Sequence, residues 1–296
     1  VNWRSAGAVA RLAASAASGV RGPYELVIVN NDPSERAALA DIVASHPNCR
    51  SLEVGRNSGF AAACNRGARE TTSAWLVFVN PDTYIHELAE TTLIACATRC
   101  GPRVLVGTLL LADGRVARGS VRRLPTRRRA LVDSLGLDRL VPALRGAGLH
   151  YRDEERLPPF TPIEQPIGAF LAISRPLFDE LGGFDERFFV FFEEVDLALR
   201  AHTAGAAVVL APDLRIEHTG GHSTRGDRTI AIGLRWRSLR AFHGKYRTHG
   251  RVPAPGLLIM IEATRFTLQR VLPGVGFRFS LVRALRIAAG RPDPGI

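Results

Sequence analysis

The sequence predicts an α/β protein: a mostly parallel, doubly wound sheet over residues 1–225, followed by a basic helical extension over residues 226–296. Three observations carry that expectation. Short apolar runs of strand length alternate with Ala-rich runs of helical period between Tyr24 and Arg99. Polar residues follow the end of each apolar run directly. Beyond Thr229 the pattern turns into helical repeats studded with arginine.

Bulk properties narrow the class. A chain of 296 residues, 46% hydrophobic and 23% charged, buries a sizeable core and is globular. Its formal net charge of +11 asks for an anionic counterpart: nucleic acid, a phosphorylated substrate or an acidic membrane surface. The arginines assemble no recognised base-reading motif, so nucleic acid is not expected as a partner. Cys49, Cys64, Cys96 and Cys100 form neither a C-x-x-C pair nor a zinc spacing, and read as free thiols in a reducing compartment. No apolar run has the length of a membrane span, and Val1-Asn2-Trp3-Arg4-Ser5 is not a signal peptide. The expected location is the cytoplasm or the cytoplasmic face of a membrane.

Val1 to Trp3 reads as the end of a strand, and a helix follows from Ala8 to about Ser18. Tyr24 to Asn30 is a buried strand closed by Asn31-Asp32-Pro33-Ser34, with a helix over Glu35 to Ala44. Arg50 to Val54 is the next strand; Gly55-Arg56-Asn57-Ser58-Gly59 then opens a helix from Phe60 to Arg69. Trp75 to Val79 is a continuous apolar strand stopped by Asn80-Pro81-Asp82-Thr83, and a helix covers Glu87 to Arg99. In a sheet wound this way ligands bind beyond the carboxyl ends of the strands. Those ends carry Asn30, Asn31, Asn57, Asn80 and Asp82. One loop Asn is a turn former; three successive polar strand ends point to a nucleotide rim. Gly55, Gly59 and Gly67 spell neither G-x-G-x-x-G nor a Walker loop, so a dinucleotide enzyme or P-loop NTPase gains no support.

Val104 to Leu111 suggests a further strand, with a turn at Ala112-Asp113-Gly114. From about residue 119 to 160 the pattern dissolves into a basic insertion carrying Arg122, Arg123, Arg127, Arg128 and Arg129. It is expected to be mobile, as a solvated loop or as a surface for phosphate or anionic lipid. Gln165 to Ile173 restores a strand in which Gly168 and Ala169 permit a ligand to approach. A brief helix from Pro176 to Leu181 ends at Gly182-Gly183.

Four phenylalanines between Phe188 and Phe192 run straight into Glu193, Glu194 and Asp196. Carboxylates beside apolar walls lose hydration and titrate high unless a cation or donors compensate, which is how a general base or a metal ligand is made. On a helix starting near Glu193, Glu193 and Asp196 share a face while Glu194 points elsewhere, so two acidic roles fit one segment. The plainer alternative is an acidic first turn that caps a helix. His218, at a strand end before Gly220-Gly221, is a metal candidate, and His222 a weaker one. Helical patterns at Thr229–Tyr246, Leu257–Leu272 and Phe277–Ala289 interleave arginines with apolar residues. They suit an anionic membrane interface, an oligomer contact or packing against the rest of the chain.

The ordered set Val1-Asn2-Trp3, Val29-Asn30-Asn31, Asn57 to Gly67, Asn80-Pro81-Asp82-Thr83, Gly168-Ala169-Phe170, Gly183 to Phe189, Glu193 to Leu197, and His218 with Ser223 resembles a known family. These are the inverting nucleotide-sugar glycosyltransferases of the second sequence family, with the GT-A fold, in particular their rhamnosyltransferase-like members. The match spans Val1 to Ser223. The resemblance implies that Asn30, Asn31, Asn57, Gly59, Asn65, Asn80 and Asp82 bind the donor, with Asn30 and Asn80 standing where the family usually has acids. It implies Mg²⁺ or Mn²⁺ held by Asp82 and His218, and a catalytic group of Glu194, Glu193 and Asp196 in which Glu194 is the general base, Glu193 the competing assignment, and Asp196 orders the helix start or the acceptor. Gly168, Ala169, Phe188 and Phe192 would wall the sugar and acceptor pocket. The implied reaction moves a sugar, best matched by L-rhamnose from dTDP-rhamnose or else another UDP- or GDP-sugar, to a lipid-linked or growing glycan acceptor at a membrane surface. A glycoside hydrolase would share the paired carboxylates without the metal-diphosphate rim, and a degenerate scaffold would explain Asn30 and Asn80.

Overall fold

The computed structural model describes residues 1–137, 141–144, 146–211, 213–219, 228–247, 255–271, 280–293 and 295–296. His222, Ser223 and Arg278 lie outside them, as do the side chains of Arg265 and Arg270.

The chain begins with α1 (Ala6–Gly19), which buries Ala6, Val9, Leu12, Ala13 and Ala16 along one stripe at helical spacing. After β1 (Val20–Arg21) come β2 (Leu26–Asn30), α2 (Arg36–Ser45), β3 (Cys49–Glu53), α3 (Phe60–Arg69) and β4 (Trp75–Val79). β2 and β3 pair in parallel, with Leu26 opposite Cys49 and Asn30 opposite Glu53. Asn2 adds a parallel bridge to Asn30, its N–H donating to the Val29 carbonyl at 2.8 Å. Val27 and Val29 of β2 and Val77 and Val79 of β4 are among the residues lining an apolar cavity of about 550 Å³.

β5 (Thr83–Ala89) is a strand that the sequence reading passed over by starting a helix at Glu87; the helix, α4, spans Glu90–Cys100. The strand exists because Thr83, Ile85 and Leu88 are buried while Tyr84 and His86 are not, a near-alternation too short to stand out in sequence. β6 (Val104–Gly107), β7 (Leu110–Ala112) and β8 (Arg115–Val116) follow, with a tight turn at Asp113 and Gly114, both at positive φ. The insertion is partly ordered into β9 (Val121–Arg122) and α5 (Arg127–Ser134). Next come β10 (Gln165–Pro166), β11 (Phe170–Ser174), α6 (Arg175–Glu180), α7 (Glu193–Thr203), β12 (Ala207–Leu210) and β13 (Arg215–His218).

The central sheet has the order β12-β6-β11-β4, β11 running antiparallel to β6 and β4 while β12 and β6 are parallel. A second sheet, β1-β5-β13-β7-β8, is also mixed. One core cluster lies between the central sheet and α3, α6 and α7, around Leu105, Leu171, Ile173, Leu177 and Leu197. The expected helical tail is present as α8 (Arg228–Tyr246), α9 (Pro255–Val271) and α10 (Leu281–Ala288). Its α8 packs on the start of α7: Phe242 lies 6.4 Å from Phe188 and 5.3 Å from Phe192, centroid to centroid. No helix among the described residues is long and apolar enough to cross a membrane.

Candidate active site

The antiparallel pairing of β13 with β5 sets Arg215 opposite Glu87 at one end and His218 opposite Thr83 at the other. That register brings His218 beside the residue preceding Thr83. Asp82 Oδ1 and His218 Nε2 stand 3.3 Å apart, the Asp82 side chain 7% exposed and the His218 side chain 19%. The turn is braced by its own backbone: the Asn80 carbonyl accepts from Thr83 Oγ1 at 2.8 Å, and the Asp82 carbonyl accepts from the Thr219 N–H at 3.2 Å. A carboxylate and an imidazole at this distance are a hard oxygen and a nitrogen donor that fit a divalent cation whose remaining ligands are phosphate oxygens and water. Among the described residues no group of three or more His, Cys, Asp or Glu gathers for a metal.

The Asn80 N–H donates to the Ala169 carbonyl at 2.9 Å. Its neighbour Gly168 lies against Glu194: a Cβ placed on that glycine would be 3.6 Å from Glu194 Cδ and Cγ. A short path through Asn80, Ala169 and Gly168 therefore joins the Asp82–His218 pair to Glu194.

Glu193 and Glu194 open α7. Before them Phe191 and Phe192 both hold the left-handed backbone conformation, φ 68° and 69°, which is strained for bulky residues and characteristic of functional positions. Glu193 is buried, and one carboxylate oxygen of each glutamate is enclosed without a hydrogen-bond partner. Burial pushes the Glu193 carboxyl well above the usual carboxylate range, and the charge of Glu194 adds to the effect. Burial raises Glu194 too, against the pull of backbone N–H groups at the helix start and of the Arg122 charge. Two adjacent acids with unequal surroundings are the pattern that separates a proton holder from a base.

Asp196, grouped with these acids in the sequence reading, does a different job. It is fully buried, and its carboxylate accepts from Arg200 Nε at 2.7 Å, Tyr246 Oη at 2.6 Å and Lys245 Nζ at 2.5 Å. Lys245 also donates to Asp185 at 2.7 Å. A carboxylate enclosed by three donors has no free face for a substrate, so its catalytic assignment is corrected: it locks α7 to α8. Phe188 is likewise corrected as a pocket wall, being 1% exposed and packed with Val195, Phe242 and Tyr246. Phe192 is half-buried in the same cluster, and Ala169 is buried in the core.

The residues expected to touch the nucleotide divide into two groups. Asn30 is 0% exposed; its Oδ1 accepts from Asn2 and from the Asp32 N–H, and its Nδ2 donates to Glu53 at 3.0 Å. Asn31 donates to the Gly59 carbonyl and accepts from Ser58, and Asn65 bonds both the N–H and the carbonyl of Phe184. Their carboxamides are committed on both sides, so these three shape the rim from behind it, a correction to direct contact. Asn57 and Asn80 differ in being half-exposed; Asn57 Oδ1 accepts from the Gly59 N–H and its Nδ2 donates to the Ile296 carbonyl at 2.9 Å, so its carboxamide is engaged on both sides as well. Gly59 takes φ +86°, where a Cβ would meet the Phe189 carbonyl oxygen at 2.5 Å; that oxygen accepts from the Phe60 N–H at 2.6 Å. The aromatic run thus seals the start of α3, a link no local sequence signal carried.

Comparison with known proteins bears on the family and the fold. A family model described as Glycosyl transferase family 2 matches residues 4–180. Over 243 residues the chain is 26% identical to N-acetylglucosaminyl-diphospho-decaprenol L-rhamnosyltransferase of Mycobacterium tuberculosis, covering 78% of each. Among solved structures, the mannosyltransferase PcManGT from Pyrobaculum calidifontis in complex with GDP-Man and Mn²⁺ superposes with a TM-score of 0.51 at 18% identity, over 99% of this chain and 75% of that one. TarS 1-349 of S. aureus in complex with UDP gives 0.50 at 13% identity, over 93% of this chain and 71% of that one. At such identities the two structures speak for the fold.

Proposed function

The chain belongs to glycosyl transferase family 2 and is a glycosyltransferase, and from that premise we propose that it transfers L-rhamnose from dTDP-rhamnose, with inversion, to a lipid-linked or growing glycan acceptor in surface polysaccharide assembly. The observation that carries the reading is the path from the Asp82–His218 pair through Asn80, Ala169 and Gly168 to Glu194. It supports a reading in which Asp82 and His218 would hold the cation within one short stretch of wall from the half-buried carboxylate of Glu194, as a displacement with a leaving diphosphate on one side and an attacking hydroxyl on the other requires. The choice of rhamnose and of a diphospholipid acceptor is supported by the name of the mycobacterial relative.

Asp82 and His218 would hold Mg²⁺ or Mn²⁺; bound there, the cation would neutralise the charge that gathers on the leaving diphosphate. Asn80 lines the donor rim, with Asn30, Asn31, Asn57 and Asn65 fixing the loops around it. Glu194 accepts the proton of the acceptor hydroxyl at its carboxylate, and Glu193, held up by burial, keeps its own proton beside it. The enclosed surroundings of the two glutamates exclude the water that would otherwise compete as acceptor. We assign the membrane-facing role to residues 226–296, where Leu257, Met260, Val282 and Leu285 are exposed on α9 and α10 of a chain carrying net charge +11. This would place the enzyme on the cytoplasmic face of the membrane.

A thermal-shift screen of nucleotide sugars with and without Mn²⁺ tests the proposal. Saturating dTDP-rhamnose at about 100 times its dissociation constant should add about 2.7 kcal/mol of stability, with Mn²⁺ and not without it. Asp82→Ala should remove most of that gain. A larger response to another sugar nucleotide would reassign the donor, and no response to any would overturn the donor site.

A further inference from the structure

The turn that leads into α7 is held by a helix far along the chain. Phe191 and Phe192 take φ 68° and 69°, and bulky residues keep that left-handed conformation only where their surroundings enforce it. The carbonyls just before the pair supply two of the restraints. The Phe189 carbonyl accepts from the Phe60 N–H at 2.6 Å, and the Val190 carbonyl accepts from Ser238 Oγ of α8 at 2.7 Å. A serine inside a helix commonly turns its hydroxyl back to the carbonyl one turn earlier. Ser238, 2% exposed, sends it across to another segment instead.

The same face of α8 continues the hold. One turn on from Ser238 lies Phe242, 5.3 Å from Phe192, and one turn further Tyr246 donates to Asp196 at 2.6 Å. A spacing of four residues sets these three side chains along one stripe of the helix. Ser238 is the member of that stripe bonded to the backbone of the turn. Glu193 and Glu194 follow Phe192 directly, so the conformation of Phe191 and Phe192 sets the direction in which both carboxyls leave the turn. One oxygen of each carboxyl is enclosed without a hydrogen-bond partner to aim it, which leaves that to the turn.

We propose that Ser238 is a positioning residue: its bond to the Val190 carbonyl keeps the Phe191-Phe192 turn in the form that aims the carboxyls opening α7, Glu194 first among them. The catalytic meaning rests on Glu194 being the base, while the behaviour of the turn does not. Hydrogen exchange read by mass spectrometry on peptides covering residues 188–197 of the full chain reports on the turn without any substrate. In Ser238→Ala those amides should exchange about 5- to 30-fold faster, the factor set by one lost buried hydrogen bond. With dTDP-rhamnose, Mn²⁺ and a polyprenyl-diphosphate-linked sugar as acceptor, kcat should fall by a similar factor while donor affinity by calorimetry holds within about twofold. Ser238→Thr, which restores the hydroxyl, should return both readings toward wild type. Unchanged exchange or unchanged kcat in a folded Ser238→Ala protein overturns the proposal, and so does a folded Ser238→Thr protein as slow as Ser238→Ala. If Ser238→Ala does not fold, Ser238→Cys, close to serine in size and a weaker donor, carries the same expectation. If exchange and kcat move together but Glu194→Gln retains full turnover, Ser238 still positions the turn and the base assignment falls, so the two failures are told apart.

Discussion

Asp196→Ala should weaken the fold and not the chemistry. The substitution removes an acceptor on which Arg200, Tyr246 and Lys245 converge at 2.5–2.7 Å in a fully buried setting. Two of those donors keep other partners: Lys245 retains Asp185, and Arg200 retains the Leu181 and Gly183 carbonyls at 2.7 and 2.9 Å. The Tyr246 hydroxyl loses a 2.6 Å bond. Charge-assisted bonds contribute about 1.5–3 kcal/mol each, and breaking a buried ion pair from one side costs about 3–5 kcal/mol, so a total near that second range is expected. For a chain of this size that is a drop of roughly 5–8 °C in Tm. Thermal unfolding by circular dichroism gives the number, and a double-mutant cycle with Lys245→Met should show a coupling of about 1–3 kcal/mol. The pH dependence has a definite sign. Burial raises the Asp185 carboxyl, but bonds from Arg187 and Lys245 outweigh it and hold the group well below the usual carboxylate range. Its contribution is therefore present above the unfolded value of about 4 and is lost as pH falls below it. Lys245→Met should flatten the stability curve in that acid window. A folded Asp196→Ala protein of wild-type stability, or one that melts normally yet has lost all turnover, would refute the structural role.

Three further outcomes follow from the same geometry. Glu193→Gln replaces an acid whose folded-state value is raised, so its penalty is absent below the unfolded value and grows as pH rises through the folded one. The variant should be more stable by about 1–2 kcal/mol in alkaline buffer and unchanged in acid, as denaturant melts at several pH values would show. Gly59→Ala places a Cβ 2.5 Å from the Phe189 oxygen and forces the Phe60 bond open, costing about 2–4 kcal/mol, whereas Gly55→Ala, with nothing within 4 Å, should cost about 1 kcal/mol. Burial and the Asp196 bond raise the Tyr246 phenol, so stability should decline as pH climbs above about 10; Tyr246→Phe should remove that alkaline slope.

Much of this architecture could be read in the sequence where the signal was local. Trp75 to Val79 is a strand because it is a short apolar run ended by Asn-Pro, and the helix from Phe60 to Arg69 starts after a glycine that only positive φ accommodates. Asp82 and His218 are 136 residues apart in sequence and were paired by family resemblance; the physical cause, the register of β13 on β5, was hidden because β5 itself was missed. A catalytic or acceptor role for Asp196 and a pocket role for Phe188 were misassigned for one reason. Their partners, Lys245, Tyr246 and Phe242, lie in a helix that sequence periodicity described without saying what it covers. Arg122 looked like one of five arginines in a basic loop, and only the pairing of β9 with β10 sets it apart. Local pattern reports which face is apolar; it does not report which distant element fills it.

The central claim is that Glu194 takes the acceptor proton while Asp82 and His218 serve the donor. Glu194→Gln, assayed for sugar transfer and, in parallel, for donor binding by calorimetry with Mn²⁺, separates the two functions. Turnover should fall by at least about a hundredfold with donor affinity held within about twofold. Wild-type turnover, or a loss of donor affinity as large as the loss of turnover, would contradict it.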